Sequence, residues 1–281
     1  MTSATQLSHS AQLVREFDRE RFVTALFAPP DRREALMALY AFNVEVARIR
    51  ESVREPMAGM IRLQWWRETL SAVEEGRPMD RHPVAAPLIE AVRVRKLSLE
   101  KFEFILTARE QDLEPVGPED MAGAEAYAEQ SSGALSQLAV EILGVNDPVS
   151  LAAARHVGIA WALLGQIRAL SFHLSIGRLT LPEAELQKAG SSGVDVMAGR
   201  APLKALSSVA QAMGDAAARH LAQARRLAVS QEAIPALLLG TLADGHLSAL
   251  ISSSWNPMDS RVSAPRSRPL RLAWAHWRGR F

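Results

Sequence analysis

One segment of the sequence decides the fold: LYAFNVEVARIRE, residues 39–51. Positions 36, 40, 43, 47 and 51 recur at helical spacing, so their side chains share one face of a helix. That face is apolar at its start and polar at its end, and it reads Leu36, Tyr40, Asn43, Ala47, Glu51. The pattern alone leaves two interpretations open, a core stripe that ends at solvent or the wall of a cavity.

The sequence on both sides of this segment is also helical in character. Alanine and leucine, both strong helix formers, are abundant, whereas only two tyrosines and no long period-two alternation are present. We therefore predict an all-α fold. Proline, serine and aspartate before apolar-periodic runs mark the predicted helices: 9–26, 31–52, 58–76, 84–96, 99–112, 119–143, 148–175, 183–189, 203–229 and 232–252.

Length and composition exclude several classes of protein. The 281 residues suffice for one large core, and a net charge of +1 creates no overall field that would attract nucleic acid, so we predict no nucleic-acid partner. The absence of cysteine excludes disulfides and thiolate metal sites. The most apolar stretch, 233–251, is interrupted by Pro235, Asp244 and His246. We expect no membrane-spanning helix, while peripheral membrane contact stays open.

The end of the chain differs from the rest. We predict one domain over residues 1–255 and a basic, aromatic tail over 256–281, in which Arg271, Trp274, Trp277 and Arg278 are candidates for membrane contact. Arginine suits an anionic bilayer surface, and tryptophan prefers the headgroup level. Two alternatives carry equal weight: the tail folds back on its own domain, or it binds another protein.

Two short motifs resemble the squalene/phytoene synthase family. They are Leu39-Tyr-Ala-Phe42 and Gly177-Arg-Leu-Thr-Leu-Pro182, in the order and at the separation that the family uses. The resemblance implies a single-domain, isoprenoid-synthase-like helical bundle around a central cavity. Enzymes of this family join two prenyl diphosphates head to head and hold them through Mg²⁺ on two aspartate-rich helical motifs. Carboxylates one helical turn apart on facing helices supply the oxygen ligands that Mg²⁺ prefers.

The first family motif, Tyr-x-Phe/Trp-Cys-x-x-x-Asp-Asp-x-x-Asp, falls on residues 40–51. Tyr40 matches, Asn43 stands where cysteine is expected, and the three acids fall on Ala47, Arg48 and Glu51. One carboxylate of three is therefore present.

The second family motif, Asp-x-x-Glu-Asp, is counted back from Gly177. Its acids fall on Ala169, Phe172 and His173, with Arg168 before them and Arg178 after. No carboxylate occupies these positions. We predict no metal site and no cofactor, Mg²⁺ being required only if a prenyltransferase activity is present.

Further blocks resemble the branch of the family that contains a mitochondrial complex I assembly factor and its bacterial relatives. They include Tyr127-Ala-Glu-Gln130, His156-Val-Gly158 and Gln64-Trp65-Trp66-Arg67. The resemblance implies a non-catalytic protein that supports assembly of respiratory complex I, with assembly intermediates as partners. It also places Tyr127, Gln130 and His156 as candidates on the cavity wall. We expect a cytoplasmic location, peripheral at the inner face of the membrane.

Two other functions stay open: a divergent head-to-head prenyltransferase, and a carrier that holds a lipid or isoprenoid ligand in the cavity. A buried arginine needs an anionic partner. For Arg168 and Arg178, that partner is either Glu51, in an internal salt bridge, or an anionic ligand such as a lipid phosphate. We interpret His173 as a helix-end histidine bonded to a neighbouring carbonyl rather than as a catalytic base.

Overall fold

The computed structural model describes residues 7–73, 82–264 and 268–281, and these contain helices and no β-strand. A π-helical segment, Glu129–Gly133, and a 3₁₀ turn, Gln231–Ala233, occur among the described helices. The α-helices of the described residues are α1 (His9–Phe17), α2 (Arg19–Ala25), α3 (Pro30–Ala47), α4 (Ile49–Ser52), α5 (Pro56–Ser71), α6 (Ala85–Arg95), α7 (Leu99–Gln111), α8 (Met121–Ala128), α9 (Ala134–Ile142), α10 (Pro148–Arg168), α11 (Leu170–Ser175), α12 (Glu183–Lys188), α13 (Gly193–Met197), α14 (Leu203–Arg225), α15 (Ile234–Leu237), α16 (Leu239–Ser252), α17 (Ser260–Ser263) and α18 (Pro269–Trp277).

The predicted all-α fold is confirmed, and local chemistry explains where several helices begin. The Ser8 hydroxyl accepts a hydrogen bond from the Ala11 amide, and Asp147 caps α10 by accepting from the Ser150 amide at 2.8 Å. Such side-chain acceptors satisfy amides that the first turn of a helix leaves without partners. Proline occupies the first position of α3, α5 and α10, where no amide hydrogen is needed.

Four predicted helices are interrupted although their sequence pattern is continuous. The helix predicted over 9–26 is interrupted at Asp18, that over 31–52 at Arg48, that over 148–175 at Ala169, and that over 232–252 at Leu238. Arg48 (φ −95°, ψ 2°) and Ala169 (φ −93°, ψ 6°) share the same bridge-region backbone. This sparsely allowed conformation is common among residues of functional sites. The end of the helix predicted over 58–76 falls on residues outside the described part of the chain.

Helix α10 is the centre of the fold. It packs against α14, α9, α16 and the π-helical segment. Its inward residues Val157, Leu163, Leu164 and Ile167 are fully buried, and each such side chain stabilises the fold by roughly 1.5–3 kcal/mol. The described helices therefore share one continuous apolar core.

One glycine sets how closely α10 approaches the π-helical segment. A Cβ atom on Gly158 would lie 2.3 Å from the backbone oxygen of Ser132. No larger residue fits unless one of the two backbones moves, so this glycine is needed for the close packing of the two elements.

The most apolar helical stretch of the described residues is Gln231–Ser252. Its length and composition would allow it to cross a membrane, but 78% of its most apolar window is buried inside the fold. It packs as a core helix, and the side chain of His246 lies within the same interior.

Candidate functional site

A cavity of about 550 Å³ lies among the helices at the points where three of them break. The junctions α1–α2, α3–α4 and α10–α11 border it, together with the end of α7 and the π-helical segment. Its wall is formed by Phe17, Asp18, Arg21, Asn43, Val44, Ala47, Arg48, Glu51, Arg109, Asp112, Tyr127, Ser131, Ser132, Trp161, Ala162, Gly165, Gln166, Ala169, Phe172, His173 and Arg178.

Asp112 is the centre of the polar half of this wall. Its carboxylate accepts a hydrogen bond from Arg109 Nη1 at 3.0 Å and a short one from Arg178 Nη2. Arg109 also donates to the Tyr127 hydroxyl at 2.8 Å and to the Asn43 side-chain oxygen at 3.3 Å. Two guanidinium groups thus share one buried carboxylate, which leaves this cluster with a net positive charge.

Two further ion pairs line the cavity, Arg21–Asp18 and Arg48–Glu51. Arg21 Nη1 donates to Asp18 Oδ2 at 2.7 Å, and Arg21 Nη2 donates to the Ser132 hydroxyl at 3.0 Å. Arg48 Nε donates to Glu51 Oε2 at 3.2 Å, and the Arg48 guanidinium lies 3.8 Å from the centroid of the Phe17 ring. Each carboxylate of the cavity wall is therefore already engaged by an arginine.

The titratable groups of the wall are shifted by burial. Desolvation, assisted by the Arg178 charge, lowers the pKa of His173 to about 4, so its imidazole is neutral at pH 7. Burial raises the pKa of the Tyr127 hydroxyl. The lining contains four guanidinium groups and three carboxylates (Arg21, Arg48, Arg109 and Arg178; Asp18, Glu51 and Asp112).

This donor set does not fit Mg²⁺. The ion prefers near-octahedral oxygen ligation, usually through carboxylates and water, whereas Ala47, Ala169 and Phe172 contribute no oxygen and the three acids of the wall are paired with arginine. No group of three histidine, aspartate or glutamate side chains capable of holding a metal occurs within residues 7–73, 82–264 and 268–281. The arrangement suits an anionic or hydrogen-bonding group beside an apolar wall.

Comparison with known proteins identifies the family. The family model for squalene/phytoene synthase matches residues 14–268. The chain belongs to the squalene/phytoene synthase family.

Relatives within the family include proteins of two kinds. The chain is 30% identical over 273 residues to the mouse protein "NADH dehydrogenase (ubiquinone) complex I, assembly factor 6", covering 96% of this chain and 81% of that protein. The bovine protein of the same name is 29% identical over the same shares of both chains. A presqualene diphosphate synthase of Rhodopseudomonas palustris is 30% identical over 200 residues, covering 71% of this chain and 70% of that enzyme.

Solved structures share the fold. The squalene synthase HpnC from Alicyclobacillus acidocaldarius superposes with a TM-score of 0.77 at 21% identity, over 89% of this chain and 94% of that chain. A dehydrosqualene synthase crystallised with a ligand gives a TM-score of 0.80 at 16% identity, over 96% of this chain and 94% of that chain. The chain therefore has the all-α isoprenoid-synthase-like fold that its two short motifs indicated.

The family fold brings the two predicted motifs together. Asn43, Ala47, Arg48 and Glu51 on one side of the cavity, and Ala169, Phe172, His173 and Arg178 on the other, all line it. Tyr40 is fully buried beneath the wall instead, and burial raises the pKa of its hydroxyl. Arg168 lies behind the lining, where it pairs with Glu20 at 3.1 Å.

The predicted role of Glu51 is wrong. Arg168 pairs with Glu20 and Arg178 with Asp112, whereas Glu51 pairs with Arg48 on its own helical turn. The internal salt bridges therefore exist, but with different acids. The His173 Nδ1 atom is buried with no hydrogen-bond partner among the described residues, so no neighbouring carbonyl accepts from it.

Of the three further candidates on the cavity wall, the structure places only Tyr127 there. Ser131 and Ser132 of the π-helical segment line the cavity, and Gln130 does not. His156 faces α14, where its Nδ1 lies 2.8 Å from Nδ1 of His220. Arg109 and Asp112, three residues apart at the end of a predicted helix, share one helix face, and this spacing is the sequence signal for the polar cluster.

A second pocket, of about 690 Å³, lies on the other side of Arg48 and Glu51. Its wall includes Trp65, His82 and Glu45. Burial raises the pKa of Glu45 to about 7, and it lowers the pKa of His82, whose Nε2 lies 4.0 Å from the Glu45 carboxylate. The tryptophan ring centroid lies 5.1 Å from that of His82.

The tail folds back on the domain, which was one of its two alternatives. Residues 269–277 form α18, whose Leu272 and Ala275 join the common core. The Phe281 carbonyl accepts a hydrogen bond from Arg225 Nε at 2.8 Å, and the Arg271 guanidinium lies 3.3 Å from Asp244. Trp274, Trp277 and Arg278 face solvent.

Proposed function

We propose that this chain supports the assembly of respiratory complex I by binding, without Mg²⁺-dependent prenyl transfer. Relatives named as complex I assembly factor 6 match 96% of its length, which supports an assembly role. We further propose that it acts in the cytoplasm, peripherally at the inner face of the membrane, with assembly intermediates as its partners.

The observation that carries the loss of catalysis is the set of side chains on the cavity wall. The positions that correspond to the acids of the two family motifs hold, in chain order, Ala47, Arg48, Glu51, Ala169, Phe172 and His173. A guanidinium in place of a metal ligand repels Mg²⁺, and the one glutamate of the set is paired with it. Ionising a diphosphate needs a cluster of divalent cations that these groups do not recruit.

A cellular test separates assembly from isoprenoid synthesis. Deleting the gene should lower complex I abundance and NADH:ubiquinone activity and leave isoprenoid products unchanged, and the wild-type chain should restore the activity. A deletion that changes only the isoprenoid products would contradict the proposal.

The alternative is a divergent head-to-head prenyltransferase, which the presqualene diphosphate synthase relative favours. Incubation of the purified chain with farnesyl diphosphate and Mg²⁺ tests it directly. We expect no condensation product above a reaction without protein, and a product that depends on both the protein and Mg²⁺ would establish the alternative.

A lipid or isoprenoid carrier is a further possibility, favoured by the apolar part of the wall at Phe17, Val44 and Trp161. Native mass spectrometry of the purified chain would reveal a bound lipid. Gly165 lines the cavity with open space around its Cβ position, so Gly165→Phe should reduce the cavity volume with little effect on the fold. If this variant restores complex I as well as the wild type does, the assembly role does not require a ligand in the cavity.

A further inference from the structure

We propose that the outer face of α18, formed by Leu270, Ala273, Trp274 and Trp277, is a docking surface for an anionic lipid bilayer. This proposal does not depend on the role in complex I assembly.

Helix α18 is packed against the core of the protein. Leu272 and Ala275 are 0% and 5% exposed against the core, and the Phe281 carbonyl is held by Arg225. His276 adds a ring contact with Phe27, at 5.4 Å between centroids. The helix therefore presents a fixed outer face to solvent.

The outer face of α18 is apolar. Leu270 is 86% exposed, Trp274 57% and Trp277 79%. Spacings of four and three residues place these side chains on one side of the helix, opposite Leu272. Single exposed apolar residues are ordinary on a protein surface. Three large apolar side chains on one face of consecutive helical turns form a patch, and such patches are typical of interaction sites.

The positive charge of residues 268–281 favours an anionic partner. Residues 268–281 contain four arginines and no aspartate or glutamate. Arg278 lies beside the apolar stripe, with its guanidinium 5.5 Å from the Trp274 ring centroid, whereas Arg271 is paired with Asp244. Arginine beside an exposed tryptophan matches an anionic headgroup layer, where the ring lies at the interface and the cation meets lipid phosphate.

The length of the helix defines the mode of contact. Nine residues of α-helix extend about 13 Å, far less than the thickness of a bilayer. With one face fixed on the protein, α18 lies in the plane of the interface and inserts only its outer side chains. The exposed pair of tryptophans is then the anchor of a peripheral protein.

Co-sedimentation of the full-length chain with vesicles tests this surface. We expect binding to vesicles of equal parts phosphatidylcholine and phosphatidylglycerol, and much weaker binding to phosphatidylcholine alone. The double variant Trp274→Ala, Trp277→Ala should lower the partition coefficient about tenfold or more. The double variant Arg278→Glu, Arg280→Glu should lower it by at least about fivefold per charge, since each basic residue near the surface contributes about 1 kcal/mol.

Matched controls lie on other faces of the molecule. Val116 and Val194 are each 72% exposed, and the double variant Val116→Ser, Val194→Ser should bind as the wild type does. Arg54→Glu with Arg93→Glu, both exposed, gives the same charge change away from α18. Equal binding of the α18 variants and their controls would overturn the proposal.

A fluorescence measurement keeps the test independent of folding defects. In vesicles that contain brominated lipid, Trp274 and Trp277 should be quenched, while Trp274→Phe with Trp277→Phe should still bind and should lose that quenching. Quenching that persists in the phenylalanine variant would overturn the proposal. So would a dimer in sedimentation velocity that the alanine variant dissociates, because the face would then pair two copies of the chain.

Discussion

Arginine is used in two opposite ways in the cavity and on α18. In the cavity, Arg21, Arg109 and Arg178 are mostly buried, and each donates to a carboxylate at the point where helices break or end. Just after α18, Arg278 and Arg280 face solvent, and Arg278 lies over the exposed Trp274 ring. Burial therefore determines the role of an arginine. A buried guanidinium needs a carboxylate partner to offset its desolvation, whereas an exposed guanidinium is solvated by water and can bind another molecule.

The largest effect should follow from breaking the buried cluster. Asp112→Asn removes the carboxylate that Arg109 and Arg178 share, so two guanidinium groups stay buried without it, and we expect a loss of about 3–5 kcal/mol in the free energy of unfolding. Urea denaturation measures this loss. Asp215→Asn, at an exposed position, should change stability by less than about 0.5 kcal/mol. If both variants lose the same amount, burial does not distinguish the two kinds of charge.

A pH dependence should separate the cavity from the surface. His173 has a folded pKa of about 4 against an ordinary value of 6.5, so the unfolded chain binds a proton first as the pH falls. Above pH 6.5 the titration of His173 does not change the free energy of unfolding. Between pH 6.5 and 4 it lowers that free energy, by roughly 3 kcal/mol at pH 4. His173→Gln should lack this loss in unfolding curves measured across that range, whereas His9→Gln, at an exposed position, should retain it. A wild-type curve parallel to that of His173→Gln would contradict the assignment.

The packing of the cavity wall should be sensitive at one glycine and tolerant at another. Gly158→Ala forces a Cβ against the Ser132 backbone and should cost about 1–3 kcal/mol in the free energy of unfolding. Gly165→Ala on the same helix meets no atom within 4 Å, so it should be neutral or stabilising by up to about 1 kcal/mol. Thermal unfolding of the two variants makes the comparison, and equal melting temperatures would contradict the close approach of α10 to the π-helical segment.

The smallest effect should come from the ion pair that links α18 to α16. Arg271 and Asp244 are 3.3 Å apart. Arg271 is exposed and Asp244 keeps a second partner in Arg225, so Arg271→Ala should cost less than about 1 kcal/mol. The matched exposed pair, tested by Arg93→Ala beside Glu90, should behave alike. If Arg271→Ala lowers the free energy of unfolding as much as Asp112→Asn does, the surface ion pair contributes to stability as strongly as the buried cluster.

The fold was largely predictable because its signals are local. Helical periodicity and the capping residues gave the helices, and the short motifs at residues 39–42 and 177–182 pointed to the family. The breaks at Arg48 and Ala169 were not predictable, because neither residue is proline or glycine and the helical pattern continues through both.

The cavity was predicted in outline and missed in its contacts. The motif positions from Asn43 to Glu51 and from Ala169 to Arg178 do face each other, as the family resemblance implied. The ion pairs depend on which acid approaches which arginine in space, and residues as distant in the chain as Asp112 and Arg178 meet only in the folded protein.

The sequence by itself determined an all-α chain and its family, since periodicity and short motifs are properties of the chain alone. Only the tertiary structure decided which carboxylates neutralise the interior arginines and that the C-terminal segment packs back as a helix with one face outward. Those outcomes depend on burial, which sums contacts between residues far apart in the chain and sets the electrostatic cost of every charge it encloses.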